Sequence, residues 1–284
     1  MMYIHCTASV NIRQDQNVDV KAECKKVAPA FVRRTDRFIQ LGLLGTASIK
    51  EQKTLDKNTA LFMISGQGNL SVFNRLCQQR YLEEVPPKPV DFINSLSNTA
   101  GFYIAKFLDL ESKNLNLAQQ GFVIENALLL ANANLSSKRE DRILLGGVDE
   151  RVDVNNNPHG YLDLPTETAL GEGSNWMLLS ANKQDALATV DVLTLAFDST
   201  GVIEYVNNQV EVTHVAFGQR MPNSCSELIL SSINIPPFEC NEVADFYETN
   251  GLFVLNSYIK SKQGCLAYID YFNDIYRVIT LNVV

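Results

Sequence analysis

The chain has 284 residues, 46% of them hydrophobic and 20% charged, which suits a globular protein able to bury a sizeable core in one large domain or two fused halves. The net charge is −8 and the basic runs go no further than Lys25-Lys26 and Arg33-Arg34, which argues against nucleic acid as a partner. No apolar stretch approaches membrane-spanning length, and the opening MMYIHCTASV lacks the basic flank and long apolar centre of a signal peptide, so a cytoplasmic protein is expected.

Taken in order, Tyr3 to Val10 reads as a first strand, rich in apolar and β-branched residues. Thr35-Asp36 can cap a helix whose Phe38, Ile39, Leu41 and Leu44 share a face. Ala60 to Ile64 is a short buried strand ended by Ser65-Gly66-Gln67-Gly68. Without a following Gly-Lys-Ser/Thr, that stretch reads as a turn rather than a phosphate loop. Asn98 to Leu108 is an amphipathic helix, with Ala100, Tyr103, Ile104, Phe107 and Leu108 on one side. A strand follows in which Leu115 and Leu117 alternate with Asn114 and Asn116. After a sharp turn, Ile124, Ala127, Leu128 and Ala131 mark a second helix, and Arg142 to Leu145 a further strand leaving through Gly146-Gly147.

Beyond a stretch of Asn, Pro and Gly from Asp153 to Pro165, strands are expected at Trp176–Ser180 and Thr189–Phe197, side by side, and at Val210–Phe217. A helix is expected over Glu242–Ile259, and strands at Ala267–Ile269 and Tyr276–Val284. Strand–helix alternation of this kind predicts a mixed or parallel sheet covered on both faces. The six cysteines show no CxxC pair or framework spacing and read as reduced thiols. None of the three histidines has ligand-type neighbours at metal spacing, so no metal site is expected. Cys225 reads as a helix-start residue rather than a displaced nucleophile.

Five short motifs occur in a telling order: Arg34-Thr-Asp-Arg-Phe-Ile-Gln40, Asn98-Thr-Ala-Gly101, the strand–turn–helix around Gly121, Gly146-Gly-Val-Asp-Glu150 and Leu170-Gly-Glu-Gly173. Together they resemble the β-ketoacyl synthase branch of the thiolase superfamily. The resemblance implies two similar halves in a layered αβαβα arrangement: residues 1–152, a linker at 153–170, and a second half at 171–284 that is truncated relative to full synthases.

It also implies where the catalytic residues would be. The spacing of the Gly-Gly pair puts Gly121 at the family's nucleophilic cysteine. The strand before Gly218 puts Phe217 at one histidine, and Tyr247-Glu-Thr-Asn-Gly251 puts Glu248 at the other. Condensation needs a thiolate to carry the acyl chain and donors to stabilise an enolate, and glycine, phenylalanine and glutamate supply neither. Gln120, beside the lost cysteine, reads as structural, since strand neighbours alternate faces.

Within that family the chain is similar to chain-length factors of type II polyketide and aryl polyene pathways. That likeness implies a catalytically silent subunit without cofactors, pairing with an active β-ketoacyl synthase and meeting acyl carrier protein. Asn114, Leu115 and Leu117 would then lie in the pairing strand, and Val90 and Phe92 near the acyl tunnel. Two other readings stay open: an acyl-thioester hydrolase or decarboxylase of altered chemistry using Gln120 or Glu248, and a homodimeric scaffold for docking carrier protein.

Overall fold

Asp36 shows how local chemistry starts the fold: its carboxylate accepts from the Ile39 amide at 3.2 Å and opens the longest helix of the chain. The computed structural model describes residues 1–153, 157–240, 242–261 and 263–283. In chain order the first elements are β1 (Met2–Ile12), α1 (Val20–Val27), α2 (Arg37–Gln52), β2 (Ala60–Ser65), α3 (Leu70–Tyr81), α4 (Pro89–Ser95), α5 (Ser97–Leu108), β3 (Asn114–Ala118), α6 (Val123–Ser136) and β4 (Arg142–Asp149). There follow α7 (Pro158–Leu162), β5 (Glu172–Ser180), β6 (Ala188–Val192), α8 (Ser199–Asn207), β7 (Val212–Phe217), α9 (Asn223–Ser232), α10 (Gly251–Ser261), β8 (Gly264–Phe272) and β9 (Ile275–Val283).

The nine strands form one sheet in the order β3-β2-β4-β5-β1-β6-β9-β8-β7. Its pairing repeats. In the first half β2 runs parallel to β4, β4 antiparallel to β5, and β5 antiparallel to β1. In the second, β7 runs parallel to β8, β8 antiparallel to β9, and β9 antiparallel to β6. The counterpart of β3 is reduced to a single parallel bridge, Val215 to Pro237, so the second half has one strand fewer. An antiparallel contact between β1 and β6 joins the halves.

Period-2 alternation sorts the side chains into layers. In β2, Ala60, Phe62 and Ile64 face α6 and α10, while Leu61 and Met63 face the outer helices α1, α2 and α5. In β8, Leu266 and Tyr268 face the same middle layer, and Ala267 and Ile269 face α8 and α9. The result is the expected α/β arrangement of five layers, αβαβα.

Several sequence expectations need correction. By strand pairing β5 belongs with β1 and β4, so the first repeat takes in residues 171–180, assigned above to the second half. The linker at 153–170 contains α7; residues 154–156 lie outside the described residues. Gly146-Gly147 is not an exit but the middle of β4. The strands β5 and β6 are not neighbours, because β1 lies between them, and β6 ends at Val192 instead of Phe197. The helix expected over 242–259 is only Gly251–Ser261. Backbone groups that would have begun it earlier are held elsewhere: Phe246 pairs with Ala169 and Gly171, and the Thr249 amide donates to Asp149. Tertiary partners outcompete the helical pattern there. Cys225 does lie in the first turn of α9.

Candidate functional site

Gly121 lies in the turn from β3 to α6 with φ +71°, in the left-handed region where glycine is favoured. Phe122 follows at φ +52° and caps α6. Over the turn lies the tip of the β8–β9 hairpin, and a Cβ at position 121 would come within 2.5 Å of the Phe272 ring. Phe272 meets Phe122 edge to face at 6.2 Å. The space beside the glycine is therefore occupied by an aromatic ring from the other half of the chain.

Glu248 reaches this turn from the segment before α10. One of its oxygens accepts from the Gly121 amide at 2.6 Å. Its charge is not left bare, however: Arg220 forks onto it, Nη2 to Oε2 at 2.6 Å and Nε to Oε1 at 3.2 Å. Both side chains are nearly out of water, 8% and 5% exposed. The guanidinium packs against the rings of Phe246 and Phe272, at 4.9 and 5.5 Å, and donates to the Leu162 carbonyl at 2.7 Å. Gln120 lies in the turn rather than in the strand, and its amide donates to the same carbonyl at 3.1 Å. Phe217 packs instead in the apolar cluster of the second half, opposite Ile269.

Around this pair lies a buried polar network. Asp149 accepts from Ser65 Oγ and from the Gly66 and Thr249 amides, each at 2.8 Å, and burial pushes its carboxyl up to about 6. Burial likewise pushes Glu150 up to about 7, while the Ser71 amide bonds to it. Glu125, in the first turn of α6, is fully buried, and burial together with nearby Asp270 holds its carboxyl well above the usual range. The cavity between Asp149, Glu150, Tyr247, Phe246 and Glu248 measures about 10 Å³, room for roughly one water. At this turn the structure thus has a side-chain-free glycine, a plugged space and an ion pair whose bonding positions are taken. Arg220 and Phe272 carried no motif signal in the sequence.

A second feature adjoins the first. β3 is the outermost strand of the sheet, and among the described residues nothing pairs with its outer side. Leu115 and Leu117 turn inward against the α6 cluster. Asn114 and Asn116 turn to α5, where a Cβ on Gly101 would come within 2.6 and 2.8 Å of their carbonyl oxygens. α5, packed beside the strand, carries exposed Phe102 (56%), and α4, which packs on α5, carries exposed Val90 (45%), Phe92 (59%) and Ile93, with Leu96 exposed between the two helices. Next to these runs a groove of about 450 Å³ lined by Phe31, Arg33, Arg34, Phe102, Tyr103 and Lys106, three cations with no carboxylate among them. Among the described residues no helix is long and apolar enough to cross a membrane, and no group of three metal-ligating side chains occurs.

No protein-family model matches this chain, and no curated protein matches it significantly. Solved structures do. The ishigamide ketosynthase/chain length factor superposes with a TM-score of 0.77 at 14% identity, covering 100% of this chain and 99% of the other. A complex of the type II polyketide ketosynthase AntDE with its acyl-carrier protein AntF gives 0.68 at 12%, with coverages of 100% and 99%. The ketosynthase ApeO with its chain length factor ApeC, from Xenorhabdus doucetiae, gives 0.59 at 10%, with 98% of each chain covered. The chain has the thiolase-like ketosynthase fold, with chain length factors among its structural neighbours.

Proposed function

We propose that this chain is a catalytically silent, chain-length-factor-like subunit. It pairs with an active β-ketoacyl synthase in polyketide, aryl polyene or fatty-acid-type elongation and shapes the partner's acyl tunnel. The observation that carries this reading is the contrast at residues 114–122. The turn that would hold a nucleophile is glycine packed under Phe272 and tied to the Arg220–Glu248 pair, while the strand leading into it is left bare beside an apolar face. In solved neighbours the same fold occurs in ketosynthase and chain-length-factor complexes, one of them with acyl-carrier protein.

The pairing surface in this reading is the outer edge of β3, including Asn114, with Val90 and Phe92 at the mouth of the tunnel. The Arg33–Arg34–Lys106 groove is the surface that attracts an acidic carrier protein. The subunit works in the cytoplasm without a cofactor. A stand-alone hydrolase or decarboxylase built on Gln120 or Glu248 is disfavoured, because Glu248 is held by Arg220 and the Gly121 amide and the Gln120 amide donates to Leu162.

The test is co-expression with an intact Cys-His-His synthase from the same gene neighbourhood. The expected result is a heterodimer whose product length changes or disappears when this chain is omitted. Intact-protein mass spectrometry of the isolated chain with acyl carrier-protein thioesters should find no adduct. A stable acyl adduct, or a monomer whose omission leaves the product unchanged, overturns the reading.

A further inference from the structure

A cavity of about 740 Å³ lies at the opposite pole of the sheet from Gly121. It is bordered by the start of β1, the start of β4 and the end of β5, one strand length (about 25 Å) from the plugged turn. Its wall is polar: His5, Ser180, Asn182 and Gln184, with the cations Lys53, Lys138 and Arg142. Its size falls within the range of small-molecule sites.

One backbone irregularity aims a side chain into this cavity. The register of β1 against β5 shifts between Ile4 and Cys6, so His5 is the extra residue of a β-bulge. Bulges redirect side chains and recur beside functional sites. Here the bulge brings the imidazole Nε2 to 2.7 Å from Ser180 Oγ, and that oxygen also accepts from the Asn182 amide at 2.9 Å. Asp185 and Asn182 offer backbone carbonyls to the ring. Lys53 and Arg142 act on it electrostatically from α2's end and from β4. Among the described residues neither cation, nor Lys138, forms an ion pair.

We propose that this cavity binds a small phosphate-bearing metabolite, its phosphate held by Lys53, Arg142 and His5 and its polar body by Ser180, Asn182 and Gln184. A phosphate fits better than a carboxylate because its oxygens can take a bidentate guanidinium, an ammonium and an imidazole together. Asp141, Asp185 and Glu140 also line the wall; Glu140 is paired with Lys113, and the other two reduce the net attraction for any anion.

The proposal has a proton signature. Burial and the two cations hold the His5 ring below its ordinary value, so it is neutral near pH 7. A bound phosphate cancels the field of Lys53 and Arg142 and favours the imidazolium. Binding should therefore take up a proton and raise the His5 pKa, against the opposing terms from Lys138 and the supporting ones from Glu140, Asp141 and Asp185.

The experiment is NMR of the ring signals of the chain's three histidines. Inorganic phosphate and then glucose 6-phosphate are titrated at constant ionic strength, with chloride as the reference. Saturable shifts confined to His5, with a raised His5 pKa, are expected. Lys53→Met and Arg142→Gln, at partly or fully exposed positions that leave folding intact, should each weaken binding about tenfold, the loss of one charge-assisted contact. Lys25→Met, on α1, should not. Tighter binding of the sugar phosphate assigns a phosphate monoester, and equal binding assigns free phosphate. If His5 does not respond to about 20 mM of either ligand beyond chloride, or if both cation variants bind as the parent does, the site does not exist.

Discussion

The strand Asn114–Ala118 and the turn Gln119–Phe122 are consecutive in the chain and opposite in character. The turn is closed: the Gly121 amide is bonded to Glu248, the Gln120 amide to Leu162, and Phe272 fills the space above. The strand is open, with an outer edge that nothing among the described residues pairs with. The other end of the sheet shows that this openness is not general. There β7 is covered by the segment through Pro237, with the Val215 amide donating to Pro236 and the Phe238 amide to Val215. Exposed strand edges are normally protected, and the chain protects one and not the other. In the proposed reading, β3 keeps the means of association while the turn beside it has lost the means of chemistry.

The contrast is broken most directly by putting charge on the open side. Phe92→Asp combined with Phe102→Asp alters two exposed rings, so the isolated subunit should keep its melting temperature. A permanent interface here would bury on the order of 2,000 Å². Two charges at its aromatic anchors should weaken pairing at least about a hundredfold and remove the partner's product, read by size exclusion and product analysis. Pro237→Ala, at the covered edge, should leave the pairing unchanged. The leucines of β3 are the wrong targets, since Leu115 and Leu117 pack against α6 and a charge there would damage the subunit itself.

On the closed side the largest effect should come from Glu248→Gln. It leaves Arg220 buried without its counter-charge, a loss of about 3–5 kcal/mol, read as a lower denaturant midpoint. If stability is unchanged, the pair is not what seals the turn. Next in size is Gly121→Cys. The new side chain must share space with Phe272 at a φ that penalises any Cβ, costing roughly 1–3 kcal/mol. It should not restore condensation, because Glu248, already paired with Arg220, supplies no donor for the enolate. Clear turnover by this variant would show that the turn is still an active site.

Much of this was readable beforehand, and the reasons for the remainder are specific. The apolar periodicity of α5 and α6 and the alternation of β3 are local signals, and they placed those elements within a residue or two. Glu248 was singled out only through the family resemblance, and its oxygen accepts from the Gly121 amide. Arg220 and Phe272 were missed because what they do depends on the hairpin tip and the β7–α9 loop meeting the turn in space, across 99 and 151 residues of chain. The start of α10 was misjudged for the same reason: the partners of Phe246, Tyr247 and Thr249 are Gly171, Asn175 and Asp149, none of them nearby in sequence. The strand order that assigns β5 to the first half is likewise a property of the sheet and not of any segment.

The closed side can also be tested without any change at the turn. Asp149 and Glu150 are held near 6 and 7 by burial, above the ordinary values of 3.8 and 4.5. In the unfolded chain both lose their protons at lower pH, so between about pH 4.5 and 7 the folded state binds more protons than the unfolded one. Stability should therefore be fullest below that window and decline as pH rises through it. The decline should be on the order of several kcal/mol in total. Denaturant midpoints at pH 5 and pH 8 measure it. Glu150→Gln, which cannot ionise, should flatten the upper part of the decline, while a surface change such as Glu23→Gln on α1 should not. A stability that rises from pH 5 to pH 8 would mean that these carboxyls are ionised and stabilised in the folded state, and that the interior behind the turn is wetter and less closed than the strand beside it.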